Sequence, residues 1–215
     1  MKKGTLIIVL GLLLIAAALC LIGYNLWDNN RAGEESQQVL DVLEEELDFP
    51  SVPTEGNVSD PFSGTEQDLS EDEALYPPYV LDPYMEMPVL QVKGNDYVGI
   101  LYIPSIGCKL PVMNKWSYPS LKISPCRYAG SAYLNNMVIC AHNYRRHFGN
   151  LKELHYDDTI VFTDMDGNVF TYKVMEIETL RPRAVEEMAA GDWDLTLFTC
   201  TTGGATRVTV RCKLK

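Results

Sequence analysis

The chain has 215 residues, of which 47% are hydrophobic and 22% are charged. This length accommodates one globular domain with appended segments, but not two large domains. The 18 basic residues against 29 acidic ones give a net charge of −11, which argues against a nucleic-acid-binding surface over the chain as a whole. The composition also excludes collagen-like chains, coiled coils and small disulfide-dense scaffolds.

The charged residues divide the chain into three unlike parts. Residues 4–27 contain no charged side chain, residues 28–96 contain 18 acidic and 2 basic ones, and residues 97–215 contain 11 acidic and 14 basic ones. We therefore predict a transmembrane signal-anchor over residues 1–27 and an acidic, largely flexible stalk over residues 28–96. Residues 97–215 form the compact domain, and they are numerous enough to bury a core.

The N-terminal apolar segment, residues 5–26, matches the thickness of a lipid bilayer. As a helix it spans about 33 Å, against about 30 Å for the hydrocarbon core. Lys2 and Lys3 precede it and acidic residues dominate after it, so the positive-inside rule places the N-terminus in the cytoplasm and the rest of the chain outside the cell. The segment is too long for a cleavable signal peptide. Leu19 directly before Cys20 argues against a lipoprotein signal.

The acidic segment that follows reads as a spacer. Apolar residues at helical spacing, including Leu40 and Leu43, predict an acidic helix over residues 34–48. Residues 49–88 are rich in proline and acidic side chains, which indicates disorder and an extended chain. The run Asp60-Pro61-Phe62 stands out within them, although Asp-Pro pairs are also ordinary turn formers.

From Tyr97 onward the sequence predicts short strands separated by turns. The predicted strands cover residues 97–103, 110–113, 136–141, 159–163, 169–177, 195–200 and 207–213. Residues 164–168 predict a hairpin loop in which Gly167 supplies a positive φ angle. One short helix fits residues 182–190. Eight or so short strands with few helical stretches predict an all-β domain, either a barrel or a sandwich.

Two strand ends carry the residue types that thiol chemistry needs. One predicted strand ends in Cys200, and the return strand begins with Arg207, so the guanidinium lies beside the sulfur across the hairpin. A nearby cation favours a thiolate, and an arginine can also hold the oxyanion of a tetrahedral intermediate. A second strand delivers His142 at its end, which would pair with Cys200 as nucleophile and base. Cys140 shares a face with His142 but lacks a following arginine, so we interpret it as structural.

These motifs together resemble the sortases, the cysteine transpeptidases of Gram-positive cell surfaces. The resemblance rests on YVGILYIP at residues 97–104, Ala-His-Asn at residues 141–143, and LFTC at residues 197–200 followed by Arg207, all in the family's order. It implies a closed eight-stranded sortase-type β-barrel with one or two short helices. The barrel would follow the N-terminal transmembrane helix and the acidic stalk.

The resemblance also implies a catalytic set. His142, Cys200 and Arg207 would be the catalytic residues, and Thr199 would offer its hydroxyl to the substrate. Arg211 shares a face with Arg207 and is the alternative arginine, but the position of Arg207 at the start of its strand favours Arg207. No metal or other cofactor is implied.

The family mechanism implies substrates and partners. Cys200 would attack the Thr–Gly carbonyl of an LPXTG-like sorting signal, and an amine would resolve the thioacyl enzyme. That amine would belong to a lipid-linked peptidoglycan precursor or to a pilin lysine. The sequence FGNL at residues 148–151 resembles class B sortases, whereas Asp60, Pro61 and Phe62 resemble the lid of class C.

Two other functions compete with this interpretation. A cell-wall cysteine peptidase would place the cysteine before the histidine, whereas His142 precedes Cys200 here. A non-enzymatic metal-binding or adhesion module could use Cys140, His142 and Cys200, but no C-x-x-C spacing supports a structural zinc site. The remaining histidines, His147 and His155, lie in a polar loop and are predicted to be solvated. We predict that the cysteines outside the membrane segment are unpaired.

Overall fold

The computed structural model describes residues 3–47, 76–183 and 185–215. Its helices are α1 (Lys3–Glu46), α2 (Pro78–Leu81), α3 (Tyr118–Leu121) and α4 (Val185–Ala189). Its strands are β1 (Leu90–Val92), β2 (Asn95–Ile103), β3 (Cys108–Met113), β4 (Cys126–Ala129), β5 (Met137–Cys140), β6 (Thr159–Asp164), β7 (Val169–Leu180), β8 (Leu195–Cys200) and β9 (Arg207–Leu214).

The strands close into a barrel, which agrees with the resemblance and excludes the sandwich that the strand pattern left open. The order is β1-β2-β3-β4-β5-β8-β9-β7-β6, and β6 also pairs with β2, so eight strands form a closed ring with β1 as an added hairpin strand. The closing pair depends on Gly99, because a Cβ there would lie 2.3 Å from the Thr163 carbonyl oxygen. Apolar residues from all sides of the ring fill the interior, including Leu101, Phe162 and Leu197.

Most predicted strands occur near their predicted positions, and β8 has the predicted bounds. The hairpin loop between β6 and β7 is also confirmed, since Gly167 has a φ of +82°. The sequence does not predict β1 or β4. Both are only three or four residues long, and they are too short for their alternation to stand out from the surrounding turns.

Helix α1 is a single continuous element of 44 residues. It is long and apolar enough to cross a membrane. Beyond the apolar segment it turns Val39, Leu40 and Leu43 onto the outer surface of the barrel, where they join a cluster with Tyr97 and Ile100. The helix predicted over residues 34–48 is thus present as the last part of α1. Residues 28–46 differ from the flexible stalk predicted for them, because the apolar side chains of this acidic helix pack on the barrel.

The segment before β1 also packs on the barrel. The Tyr79 ring stacks on Tyr133 with centroids 4.5 Å apart, and Met87 is buried in the barrel core. Residues 76–96 are thus part of the folded domain, although the sequence assigns them to the stalk. In the sequence, single apolar residues such as Tyr79 and Met87 stand among proline and acidic residues, so no periodic pattern marks this segment as folded. The predicted lid residues, Asp60, Pro61 and Phe62, lie outside the described residues.

Replacing Leu43 by Ala tests how α1 is held on the barrel. Leu43 is fully buried, so the change leaves a cavity and should lower the free energy of opening of residues 28–46 by about 2–5 kcal/mol. Hydrogen exchange of the full chain in detergent measures this opening. Val42→Ala is the matched control, because Val42 is 37% exposed on the same helix. Equal exchange in the two variants would contradict the docked helix.

Candidate active site

Strands β5 and β8 bring His142 and Cys200 to the same edge of the barrel. The two strands are parallel neighbours in which Cys140 lies opposite Phe198. His142 and Cys200 each lie two residues beyond that pair and on the same face. Cys200 is the last residue of β8, and His142 follows the end of β5. The backbone amide of Ala141 continues the pairing by donating to the Phe198 carbonyl oxygen at 3.2 Å.

Arg207 lies directly opposite Cys200 in the antiparallel pair of β8 and β9. Its Nη1 donates to the backbone carbonyl oxygens of Gly204 at 3.2 Å and Thr206 at 3.0 Å. These bonds hold the guanidinium over the β8–β9 turn. Arg207 is half-buried, and no acidic side chain among the described residues forms an ion pair with it.

Arg211, the alternative arginine, is buried and uses its guanidinium for hydrogen bonds within the fold. It is only 3% exposed, and its Nε donates to Glu178 Oε1 at 2.8 Å. Its Nη1 donates to the Met188 carbonyl oxygen at 2.7 Å and to Thr196 Oγ1 at 3.1 Å. Arg211 therefore joins α4 to the sheet and is not free to bind a substrate.

Thr199 lies on the opposite face of β8 from Cys200 and is buried. Its Oγ1 donates to the Ala141 carbonyl oxygen at 2.9 Å. This bond fixes β8 against the end of β5, next to His142. Because the hydroxyl proton is engaged, the substrate contact predicted for Thr199 would have to use its oxygen as an acceptor.

One cleft of about 180 Å³ contains all three predicted catalytic side chains, Cys200, His142 and Arg207. Its other walls are largely apolar and aromatic. The rings of Trp116 and Tyr128 lie 5.5 Å apart, and Tyr128 lies edge-on to Phe198 at 5.3 Å. The cleft thus combines a thiol, an imidazole and a guanidinium with an aromatic wall.

The aromatic wall is not recognisable in the sequence. Trp116 comes from the connection between β3 and α3, and Tyr128 comes from β4, which the sequence does not predict. The only available signal is the local richness in aromatic residues of the segment 116–128. That signal does not say which side of the barrel the rings occupy.

The other thiols of the folded domain are shielded from solvent. Burial raises the pKa of Cys108 and of Cys126 to about 12, and it also raises the pKa of Cys140 and Cys212. Cys140 and Cys200 both line the cleft, but among these five cysteines Cys200 alone is half-buried, whereas Cys140 is buried. All five are unpaired in this structure. The geometry therefore singles out Cys200 as the accessible thiol.

The imidazole of His142 is partly withdrawn from water. Burial lowers its pKa, and the charge of Lys122 acts in the same direction, whereas the negative charge of Asp28 opposes them. The Tyr144 ring packs beside it with centroids 5.0 Å apart. Neutral His142 is thus favoured at rest, which suits a base that takes a proton from a thiol.

His147 differs from its predicted solvated state. It is 1% exposed, and burial lowers its pKa to about 4. Its Nε2 lies 3.1 Å from Ser36 Oγ of α1, so docking of the helix covers it. His155 is exposed, as predicted. Within the described ranges, no group of three or more His, Cys, Asp or Glu side chains is placed to hold a metal ion.

Comparison with known proteins gives one family. A family model described as the sortase domain matches residues 101–215. No curated protein matches the chain.

Several solved structures share the fold. Sortase C of Clostridium perfringens with the C-terminal cell wall sorting motif is 26% identical, has a TM-score of 0.50, and is matched over 56% of this chain and 71% of that chain. Sortase C1 from Streptococcus agalactiae is also 26% identical, with a TM-score of 0.52, over 63% of this chain and 74% of that chain. A sortase D5 transpeptidase of Clostridium perfringens is 19% identical, with a TM-score of 0.55, over 85% and 99%, and supports the fold alone.

Alkylation of the native chain tests which thiol is accessible. At neutral pH, iodoacetamide should modify Cys200 and leave Cys108, Cys126, Cys140 and Cys212 unmodified, because burial keeps those four protonated and covered. Peptide mapping by mass spectrometry identifies the modified residue, and unfolding in denaturant provides the positive control for all five. Modification of Cys140 before Cys200 would contradict this assignment.

Proposed function

The chain belongs to the sortase family, and we propose that it is a membrane-anchored cysteine transpeptidase that cleaves an LPXTG-like sorting signal and transfers the cleaved protein to an amine. The observation that carries this proposal is the single cleft shared by Cys200, His142 and Arg207. The half-buried thiol at the end of β8 is the nucleophile. The neighbouring strands supply the other two groups.

The proposed reaction has two steps. The Cys200 sulfur adds to the Thr–Gly carbonyl carbon while His142 takes the thiol proton, and Arg207 binds the oxyanion. The C–N bond then breaks, His142 returns the proton to the leaving glycine amine, and a thioester remains on Cys200. An incoming amine attacks the thioester, forms the new amide, and returns a proton to the sulfur. No oxidant, reductant or metal is needed for this balance.

The aromatic wall supports a peptide substrate with apolar residues. An extended LPXTG-like segment whose Thr carbonyl reaches Cys200 would place its Leu and Pro side chains against Trp116, Tyr128 and Phe198. A solved sortase C of Clostridium perfringens contains the C-terminal cell wall sorting motif. That structure supports a substrate of the same class for this chain.

The N-terminal helix supports attachment to the cell membrane. Residues 5–26 of α1 would cross the bilayer once, with Lys2 and Lys3 on the cytoplasmic side and the barrel outside the cell. The catalytic cleft then faces the space where exported proteins and lipid-linked cell-wall precursors meet. The amine acceptor would be such a peptidoglycan precursor or a pilin lysine.

Replacing Cys200 by Ala tests the nucleophile. This variant should lose cleavage of an LPXTG peptide, measured by release of its C-terminal fragment, because no other accessible thiol lines the cleft. Cys140→Ala is the matched control on the neighbouring strand, and it should retain activity. Full activity of Cys200→Ala together with loss in Cys140→Ala would contradict the proposal.

Replacing each arginine by lysine distinguishes the arginine that binds the oxyanion from the arginine that stabilises the fold. Arg207→Lys keeps the charge but loses the planar fork, so kcat/KM should fall about 100-fold with little change in Tm. Arg211→Lys should instead lower stability by about 2 kcal/mol, because it breaks buried hydrogen bonds to Glu178 and Met188. Activity assays and thermal unfolding of both variants measure the two effects. The reverse pattern would assign the catalytic role to Arg211.

A further inference from the structure

Helix α1 holds the loop that carries His142. This loop, residues 141–150, is called the His142 loop below. Tyr144 Oη donates to Asp28 Oδ2 at 2.5 Å, and the Arg145 backbone amide donates to Asn29 Oδ1 at 2.8 Å. Both acceptors belong to the first turn of α1 beyond the apolar segment. The helix therefore grips the His142 loop directly outside the proposed membrane span.

Further along α1, the same loop is covered at close range. Ser36 Oγ lies 3.1 Å from His147 Nε2 and donates to the Ile123 carbonyl oxygen at 2.5 Å. At Gly33 the helix passes so near the Arg146 side chain that a Cβ would lie 2.1 Å from its Cδ. The contact between α1 and the loop thus extends over more than two helical turns.

Inside the loop, the contacts lead from Tyr144 to His142. The two rings lie 5.0 Å apart at an interplanar angle of 44°. The loop is closed by bonds from the His147 amide to the Tyr144 carbonyl oxygen at 2.9 Å and from the Phe148 amide to the His142 carbonyl oxygen at 3.2 Å. A shift of Tyr144 would therefore move the surface on which the His142 ring rests.

We propose that Asp28 and Tyr144 are positioning residues for His142, through which the membrane helix completes the active site. Asp28 fixes the Tyr144 hydroxyl, Tyr144 fixes the imidazole, and the carboxylate supplies negative charge towards the imidazolium that forms when Cys200 loses its proton. This inference rests on the proposed function for the role of His142. The attachment of α1 to the His142 loop does not depend on the proposed function, because the contacts themselves show it.

The charged groups around His142 decide the direction of the effect. Asp28 acts on it from α1, where Arg31 is paired with Asp28, Lys122 follows α3, and Tyr144 and His147 belong to its own loop. Cys200 and Arg207 line the same cleft. The hydrogen bond from Tyr144 lowers the pKa of Asp28, so Asp28 is ionised at neutral pH.

Removing the charge of Asp28 should change the pKa of His142 in one direction only. Because that charge raises the pKa of His142 against burial and Lys122, its removal should lower the pKa of His142 further. The imidazolium that must donate a proton to the leaving amine then becomes less stable. Turnover should fall, and the midpoint of the His142 titration should move to lower pH.

The test uses the full chain in detergent micelles with the variants Asp28→Asn, Tyr144→Phe and the double variant. Asp28→Asn removes the charge and keeps an acceptor oxygen, whereas Tyr144→Phe keeps the ring and loses the hydrogen bond. Asp41→Asn is the matched control, because Asp41 is exposed on the same helix and, among the described residues, its side chain bonds only to Gln37. Three measurements are made on each protein: kcat and KM with an LPXTG peptide, the His142 titration by NMR of histidine-labelled protein, and Tm by thermal unfolding.

The chain contains three histidines, which makes the NMR titration readable. Asp28→Asn and Tyr144→Phe should each lower kcat about tenfold with KM within about twofold. The double variant should be no worse than the poorer single one, because the two residues act in one chain of contacts. Asp28→Asn should shift the His142 midpoint to lower pH, and Asp41→Asn should match the unaltered protein in every measurement.

Two results would overturn the inference. The first is that both variants have the same kcat and the same His142 titration midpoint as Asp41→Asn. The other is a loss of activity with an unchanged His142 midpoint and a lowered Tm, since that pattern indicates a merely structural contact. Failure of the proposed function looks different: the unaltered protein would not cleave the peptide, while the His142 titration, which needs no substrate, would still decide the role of Asp28.

Discussion

Strand β8 pairs in parallel with β5 and antiparallel with β9, and this arrangement determines where His142, Cys200 and Arg207 meet. In a parallel pair both carboxyl ends lie at one edge, and an antiparallel neighbour begins at that same edge. His142 follows β5, Cys200 ends β8 and Arg207 begins β9. The bond from Thr199 to the Ala141 carbonyl oxygen keeps β5 and β8 together at this point. Side chains far apart in the sequence thereby share one cleft.

The two faces of the strands differ in what covers them. Along β9, Val210 and Cys212 point into the barrel core, whereas Arg207 and Arg211 lie on the outer face. Helix α4 covers Arg211 through its Met188 carbonyl and leaves Arg207 beside the cleft. Packing on the outer face also distinguishes the two thiols. The side chains packed there bury Cys140, whereas Cys200 lies outside this packing and is half-buried. Whether an arginine or a cysteine is accessible therefore depends on the side chains that pack over its position.

The sequence predicts the barrel and the residues at its reactive edge because their signals are local. β8 is recognisable from its own alternation, and Cys200 and Arg207 flank a short turn that fixes their relation. The aromatic wall depends instead on where Trp116 and Tyr128 are placed by a connection and a four-residue strand. The docking of α1 depends on a few apolar residues in an acidic helix. Long-range contacts of this kind, like that between Ser36 and His147, leave no periodic pattern in either partner.

The structure joins helix α1 and the barrel into one unit around the His142 loop, and the proposed function makes the Cys200 sulfur the reacting atom. Intact and peptide-mapped mass spectra of the full chain, quenched after brief mixing with an LPXTG peptide in the absence of an amine acceptor, test this account most directly. It predicts a covalent adduct with the mass of the peptide fragment ending in Thr, attached to Cys200 and released by hydroxylamine. An adduct on another cysteine, or cleavage without any thioester-bound intermediate, would contradict it.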